Sequence, residues 1–179
     1  MDMTGLSGSI VAIVTPFKED RGVDFEALER LVDFHLANGT DGILVLGTTG
    51  ESSTMTDRED YEVATCVVDR VAGRIPVIGG SGSNSTDESL RKSLGLQKLG
   101  VDGLLIITPY YNKSNEEGIY HHLNSVLDAV NVPCVLYNIP GRTGCSISEK
   151  NLARLSRHPN AWGLKEASGN IAYAATAAR

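Results

Sequence analysis

Six short apolar runs, each followed by a stretch with helical periodicity or helix-opening residues, restrict this chain to a parallel β/α architecture. They cover residues 10–14, 43–46, 75–78, 104–107, 132–137 and 161–165. Each run is continuously apolar rather than alternating with polar residues, as a sheet covered on both faces requires. Between the first two runs, Phe25, Leu28, Leu31, Val32 and Leu36 fall on one face of a helix. Asp24 suits its N-cap and Gly39 its stop. Thr86-Asp87-Glu88 opens a second helix that ends near Gly100, and Asn115-Glu116-Glu117 opens another that ends before Pro133. An internal echo reinforces the repeat: Asn38-Gly39-Thr40-Asp41-Gly42-Ile43-Leu44 returns as Leu99-Gly100-Val101-Asp102-Gly103-Leu104-Leu105.

Two architectures share this element order, a closed parallel barrel and a doubly wound open sheet. Polar residues at the strand ends separate them, because neighbouring parallel strands lie about 4.8 Å apart. An open sheet strings its strand ends along a line, whereas a barrel gathers them around one mouth. Here four runs end in reactive or polar groups: Gly47-Thr48-Thr49-Gly50-Glu51, Thr108-Pro109-Tyr110-Tyr111-Asn112, Tyr137-Asn138-Ile139-Pro140-Gly141-Arg142-Thr143-Gly144, and Lys165-Glu166. That concentration favours the α/β barrel of the (β/α)8 TIM type.

Lys165 closes an apolar run and is followed by Glu166-Ala167-Ser168-Gly169-Asn170, a strand ending in an amine before a turn. A lysine has an unperturbed pKa of roughly 10.4, so it becomes a nucleophile near neutral pH only where desolvation or a nearby cation lowers that value. A strand end inside a closed barrel can do this. The glycines around Thr48 and Thr49 let backbone N–H groups approach a small carboxylate. Arg142 offers a planar fork for a second carboxylate, and Tyr111 and Tyr137 are candidate proton carriers. Taken singly, each is as readily explained by core packing or a solvated surface; the coincidence of four strand ends changes that.

These four segments, with Gly163-Leu164-Lys165-Glu166-Ala167, resemble the signature segments of the dihydrodipicolinate synthase (4-hydroxy-tetrahydrodipicolinate synthase) family, in the family's order and over essentially the whole chain. The resemblance implies a lyase of the class I aldolase type that condenses pyruvate with L-aspartate 4-semialdehyde on the route to diaminopimelate and lysine. It implies no cofactor and no metal, because the protonated imine between Lys165 and pyruvate is itself the electron sink. Tyr137, Thr48 and Tyr111 match the family's proton relay, the tyrosine matching Tyr111 coming from a neighbouring subunit. Thr49 matches the pyruvate-carboxylate contact, and Arg142 the group that binds the semialdehyde's carboxylate. A homotetramer, a dimer of dimers, is implied as well. The related sialic acid lyases share the lysine and the strand-five tyrosine but lack Gly141-Arg142-Thr143-Gly144. Ser52, Asn84, Glu88 and Tyr110 match a lysine-effector site, while Asp57 and Asp60 stand where some feedback-inhibited members carry histidines, so the resemblance leaves inhibition by lysine open.

Composition narrows the partners. A net charge of −6, with no basic cluster, gives no electrostatic footprint for nucleic acid. No apolar run approaches a membrane span and Met1-Asp2-Met3-Thr4-Gly5 lacks a secretory pattern, so a cytoplasmic protein is expected. Cys66, Cys134 and Cys145 are odd in number and widely spaced, which fits reduced thiols, with Cys134 in the core. A whole eight-stranded barrel needs about 250 residues. The expectation for residues 1–179 is therefore a single, incomplete barrel domain without the last two βα units and the family's C-terminal helical region. A noncatalytic fragment or assembly partner that keeps the motifs is the alternative to an enzyme. Gly80-Ser81-Gly82-Ser83-Asn84-Ser85 prompts a nucleotide-binding reading, but the third glycine of the dinucleotide fingerprint is missing. Metal-dependent aldolase chemistry is a further rival, weakened by the placement of the histidines: His121 and His122 are adjacent on a helix and point apart, while His35 and His158 are scattered.

Overall fold

A computed structural model of the chain describes residues 6–178 and divides it into two compact units. The first comprises the chain up to Gly80 together with Gly95–Gly103; the second comprises Ser81–Leu94 and the chain from Leu104 onward.

The first unit carries three parallel strands in chain order, β1 (Ile10–Ala12), β2 (Gly42–Val45) and β3 (Val77–Gly80), with Val11 beside Ile43 and Ile43 beside Val77. The apolar run expected at 75–78 enters the ladder two residues later, since Ile75 and Pro76 precede the strand and Gly79 and Gly80 extend it. Proline has no N–H to donate to a ladder, yet the Pro76 carbonyl accepts from Ile43 N at 3.0 Å. Helix α1 (Phe25–Ala37) begins as expected: Asp24 accepts from Ala27 N. It ends with Asn38 as cap and Gly39 in the left-handed region, φ 75°. It buries Leu28 and Val32 and packs on α2 (Asp57–Val71), where Arg70 bridges to Asp33 and Glu29. Thr56-x-x-Glu59 is the capping pattern at the start of α2. Both halves of that capping box form, Thr56 Oγ1 receiving Glu59 N and Glu59 receiving Thr56 N.

The sequence echo has a structural meaning. Gly39 and Gly100 both take positive φ just past a helix end, at 75° and 90°. The aspartate two residues on then performs the same task twice. Asp41 accepts from Ser9 N at 2.7 Å and donates its own N–H to Ser9 O; Asp102 accepts from Val77 N at 2.9 Å and donates to Val77 O. Each aspartate satisfies backbone groups at the start of the preceding strand, which otherwise lack ladder partners.

The second unit repeats the plan with β4 (Gly103–Ile107), β5 (Cys134–Asn138) and β6 (Ala161–Glu166), parallel and in chain order. Ile107 lies beside Tyr137, Tyr137 beside Lys165, and Asn138 beside Glu166. Helix α3 (Thr86–Leu99) is shared along its length by the two units, and α4 (Glu116–Ala129) opens on the Asn115 cap and buries Ile119, Leu123, Val126 and Leu127. The short helices α5 (Pro140–Thr143), α6 (Glu149–Leu155) and α7 (Ile171–Ala177) complete the unit. Cys134 is fully buried, in line with its reading as a core residue.

Candidate active site

In the second unit, side chains at paired positions of parallel strands point to the same face, and successive residues to opposite faces. Tyr137 and Lys165 therefore share one face of β5 and β6, while Asn138 and Glu166 share the other. The Lys165 Nζ sits 4.2 Å from the centre of the Tyr137 ring. Burial pushes the Lys165 ammonium below its ordinary pKa, and the Arg142 guanidinium adds to that shift. Contact with the ring face acts in the opposite sense, since it favours the cation; the desolvated setting prevails. Burial holds the Tyr137 phenol above its usual value, with Arg142 pulling the other way, so it is a proton donor at neutral pH.

Arg142 itself is exposed on α5. Its turn is rigid: Pro140 occupies the first helical turn, Gly144 N–H closes it on Pro140 O at 2.9 Å, and Gly144 adopts φ 74°. Thr143 is buried, its hydroxyl 2.9 Å from Cys145 O and 3.2 Å from Ile139 O. Tyr111 follows β4 in the same unit. It stands 90% exposed, with φ 75°, on a loop where Lys113 also takes positive φ.

Thr48 and Thr49 belong to the first unit, exposed on a 3-10 turn, Thr48–Gly50, that follows β2. Leu46 and Glu51 flank it at φ 59° and 57°. Non-glycine residues held there cost about 1–3 kcal/mol each and persist where their surroundings dictate them. The dictating contacts are visible. Thr15 Oγ1 donates to Gly50 O at 2.7 Å, and Gly80 lies so close to Leu46 that a Cβ on it would stand 2.8 Å from the Leu46 carbonyl carbon.

Of the effector-type residues, Asn84 and Tyr110 are joined, Asn84 Nδ2 donating to Tyr110 O at 3.2 Å. Glu88 receives the Ser83 hydroxyl at 2.8 Å and lies 3.6 Å from Lys92. Ser52, in the first unit, donates to buried Asp60 at 3.0 Å. The glycine-serine segment that prompted a nucleotide reading is not a phosphate cradle. Ser81 N–H donates to Leu105 O, Ser83 N–H to Ser89 Oγ and Ser85 N–H to Ser83 Oγ, while a Cβ on Gly82 would meet Ile107 N at 2.5 Å. His121 is exposed and His122 buried, as their helical positions require, and no cluster of three or more metal-ligating side chains occurs among the described residues. No helix among them is long and apolar enough to cross a membrane.

Sequence reading missed a further group at this site. Asn138, buried to 1% exposure, donates its Nδ2 to Glu166 Oε2 at 2.6 Å and accepts Ile147 N–H at 3.1 Å, and Glu166 Oε1 also accepts Ser168 N–H. The available signal was a polar residue placed directly after each of the two candidate strand-end residues, Tyr137-Asn138 and Lys165-Glu166.

Residues 5–179 match the model of the Dihydrodipicolinate synthetase family. A 4-hydroxy-tetrahydrodipicolinate synthase from Caldicellulosiruptor saccharolyticus is 54% identical over 94% of this chain and 57% of its own length, and one from Pelobacter propionicus is 50% identical over 93% and 57%. Among solved structures, the chloride-inhibited dihydrodipicolinate synthase of Acinetobacter baumannii complexed with pyruvate superposes with a TM-score of 0.91 at 44% identity, covering 93% of this chain and 57% of that one. The enzyme from Aquifex aeolicus gives 0.89 at 46% identity, covering 92% and 56%. The chain thus spans somewhat over half the length of these relatives. The fold class is the parallel (β/α)8 barrel type of these neighbours, with six strands among the described residues. On the family match over residues 5–179 and these identities, the chain belongs to the dihydrodipicolinate synthetase family.

Proposed function

We propose that this chain carries the chemistry of 4-hydroxy-tetrahydrodipicolinate synthase, the condensation of pyruvate with L-aspartate 4-semialdehyde in lysine and diaminopimelate biosynthesis. The observation that carries the reading is the half-buried Lys165 amine against the Tyr137 ring, its pKa lowered by burial and by Arg142. A neutral amine there attacks the carbonyl carbon of pyruvate, and water leaves as the protonated imine forms. Loss of a methyl proton gives the enamine. Its carbon attacks the aldehyde of the second substrate, whose oxygen takes up a proton to become the 4-hydroxyl. The substrate's own amine then adds to the imine carbon, closes the ring and expels Lys165 as the free amine.

The roles follow from the side chains. Tyr137, whose phenol stays protonated, is the proton carrier nearest the amine. Thr48 and Tyr111 complete its relay, Tyr111 acting from a neighbouring copy in a dimer of dimers; its 90% exposure on a strained loop suits a residue that works outside its own unit. Thr49 receives the pyruvate carboxylate, and Arg142, on a turn held at both ends, receives the semialdehyde's carboxylate. The imine serves as the electron sink, so no cofactor or metal takes part, and the site of action is the cytoplasm.

Pyruvate-dependent consumption of L-aspartate 4-semialdehyde tests the proposal. The wild-type chain turns the substrate over and Lys165→Ala does not. A folded wild-type chain without turnover would overturn the enzyme reading in favour of a noncatalytic assembly partner.

A further inference from the structure

On the face of β5 and β6 opposite Tyr137 and Lys165 lies the hydrogen-bonded pair Asn138 and Glu166. Asn138 is a hub for three segments. Its Nδ2 donates to Glu166 Oε2 at 2.6 Å, its Oδ1 accepts from Ile147 N at 3.1 Å, and its backbone carbonyl accepts from Ala167 N at 2.9 Å. Glu166 passes the hold onward by accepting Ser168 N–H on its other oxygen. The exit of β6 and the segment following the Arg142 turn are thereby fixed to one buried amide, itself 1% exposed. A carboxylate adjacent in sequence to Lys165 is also kept pointing away from the amine, where it would otherwise pair with the ammonium and hold it protonated.

We propose that Asn138 and Glu166 act as a positioning pair for the reactive lysine, fixing Lys165 in register with Tyr137 and fixing the Arg142 turn relative to both. The inference deepens the functional reading above and rests on it for its catalytic meaning. The pair lies on the face opposite Tyr137 and Lys165, so the effect is indirect. Displacement of a reacting group by about 1 Å costs on the order of a hundredfold in rate.

The pair can be inverted without removing it. In Asn138→Asp alone, two carboxylates face each other across the 2.6 Å contact. In Glu166→Gln alone, an NH2 group replaces one of the two carboxylate oxygens, so either Asn138 Nδ2 or Ser168 N–H faces a donor instead of its acceptor. In the double variant, Asn138→Asp with Glu166→Gln, the amide at 166 donates to the carboxylate at 138 and still accepts from Ser168, and the other oxygen at 138 still accepts from Ile147.

The test uses the full chain and two readouts. The first is the pH dependence of Lys165 acetylation by a small anhydride, followed by peptide mass spectrometry, which requires no substrate. The second is the rate of borohydride trapping of pyruvate at Lys165. Each single variant is expected to slow trapping about tenfold to a hundredfold and to shift the acetylation profile to higher pH, and the double variant to return both close to wild type. Glu166→Gln separates positioning from bulk electrostatics: deleting a negative charge by itself lowers the pKa of a nearby amine, whereas a loosened lysine, no longer held in its desolvated place, titrates higher. Unchanged acetylation profiles in both single variants, or a double variant as impaired as the singles, would overturn the proposal. A wild-type chain that never traps pyruvate would instead overturn the functional reading, and the acetylation profiles would still decide the positioning claim.

Discussion

Replacing Gly80 by alanine should destabilise the first unit and disturb the Thr48 turn together. Gly80 ends β3, and a Cβ built there stands 2.8 Å from the Leu46 carbonyl carbon and 3.2 Å from Gly47 N, closer still to the Leu46 oxygen. Ordinary contact begins near 3.4 Å, so backbone must move by more than 0.6 Å, the nearer oxygen setting the larger shift. The atoms to be moved are backbone of a residue already held at φ 59°, immediately before the turn that presents Thr48 and Thr49. Overpacking of this kind costs about 1–3 kcal/mol. Reduced freedom of the unfolded chain returns roughly 0.4–1 kcal/mol. The net loss is about 1–2 kcal/mol, or roughly 2–8 °C in Tm for a chain of this size. Gly163→Ala supplies the control, because its Cβ meets nothing within 4 Å and its φ is ordinary; it should leave stability unchanged or raise it slightly. Urea unfolding and thermal melts of both variants read the difference. Equal stability for Gly80→Ala and Gly163→Ala would show that the close approach of β3 to Leu46 does not hold the turn.

Other outcomes follow from single features. Lys165 has a native pKa below its unfolded value, so between the two the unfolded chain holds a proton that the native chain has released; stability should rise with pH across that window, and pyruvate trapping should rise as pH climbs toward the lowered pKa. Arg142→Leu removes the second cause of the shift and should move the trapping profile to higher pH, a displacement absent in that variant's favour only if Arg142 does not act on the amine. Thr56→Ala removes the side-chain half of the capping box and should cost about 1 kcal/mol in urea unfolding, with no loss if α2 is held by packing alone. The Cys134 thiol is pushed up to about 12 by burial, and the thiolate is the reactive form, so iodoacetamide at pH 8 should label Cys66 and Cys145 first and reach Cys134 only on unfolding.

Much of this was legible because it depends on local chemistry. Period and turn residues located the strands and the helices α1, α3 and α4; the lysine at a strand end and the glycine-flanked threonines marked the candidate groups. What escaped notice depends on register, which a single strand does not encode. Asn138 and Glu166 read only as polar residues at strand ends until the pairing of Tyr137 with Lys165 sets them side by side on the opposite face. The strand at Val77–Gly80 was displaced for a related reason, since a proline and two glycines carry little apolar signal while the ladder is defined by backbone groups. Asp41 and Asp102 were visible as an echo, but their shared role as acceptors for a neighbouring strand required three-dimensional placement.

The central claim is that the Lys165 amine is a nucleophile. Incubation of the chain with pyruvate, reduction with borohydride and peptide mass spectrometry test it most directly. One reduced pyruvate adduct is expected, located on Lys165 and absent from Lys165→Ala. A folded chain that acquires no adduct, or acquires it equally on other lysines, would contradict it.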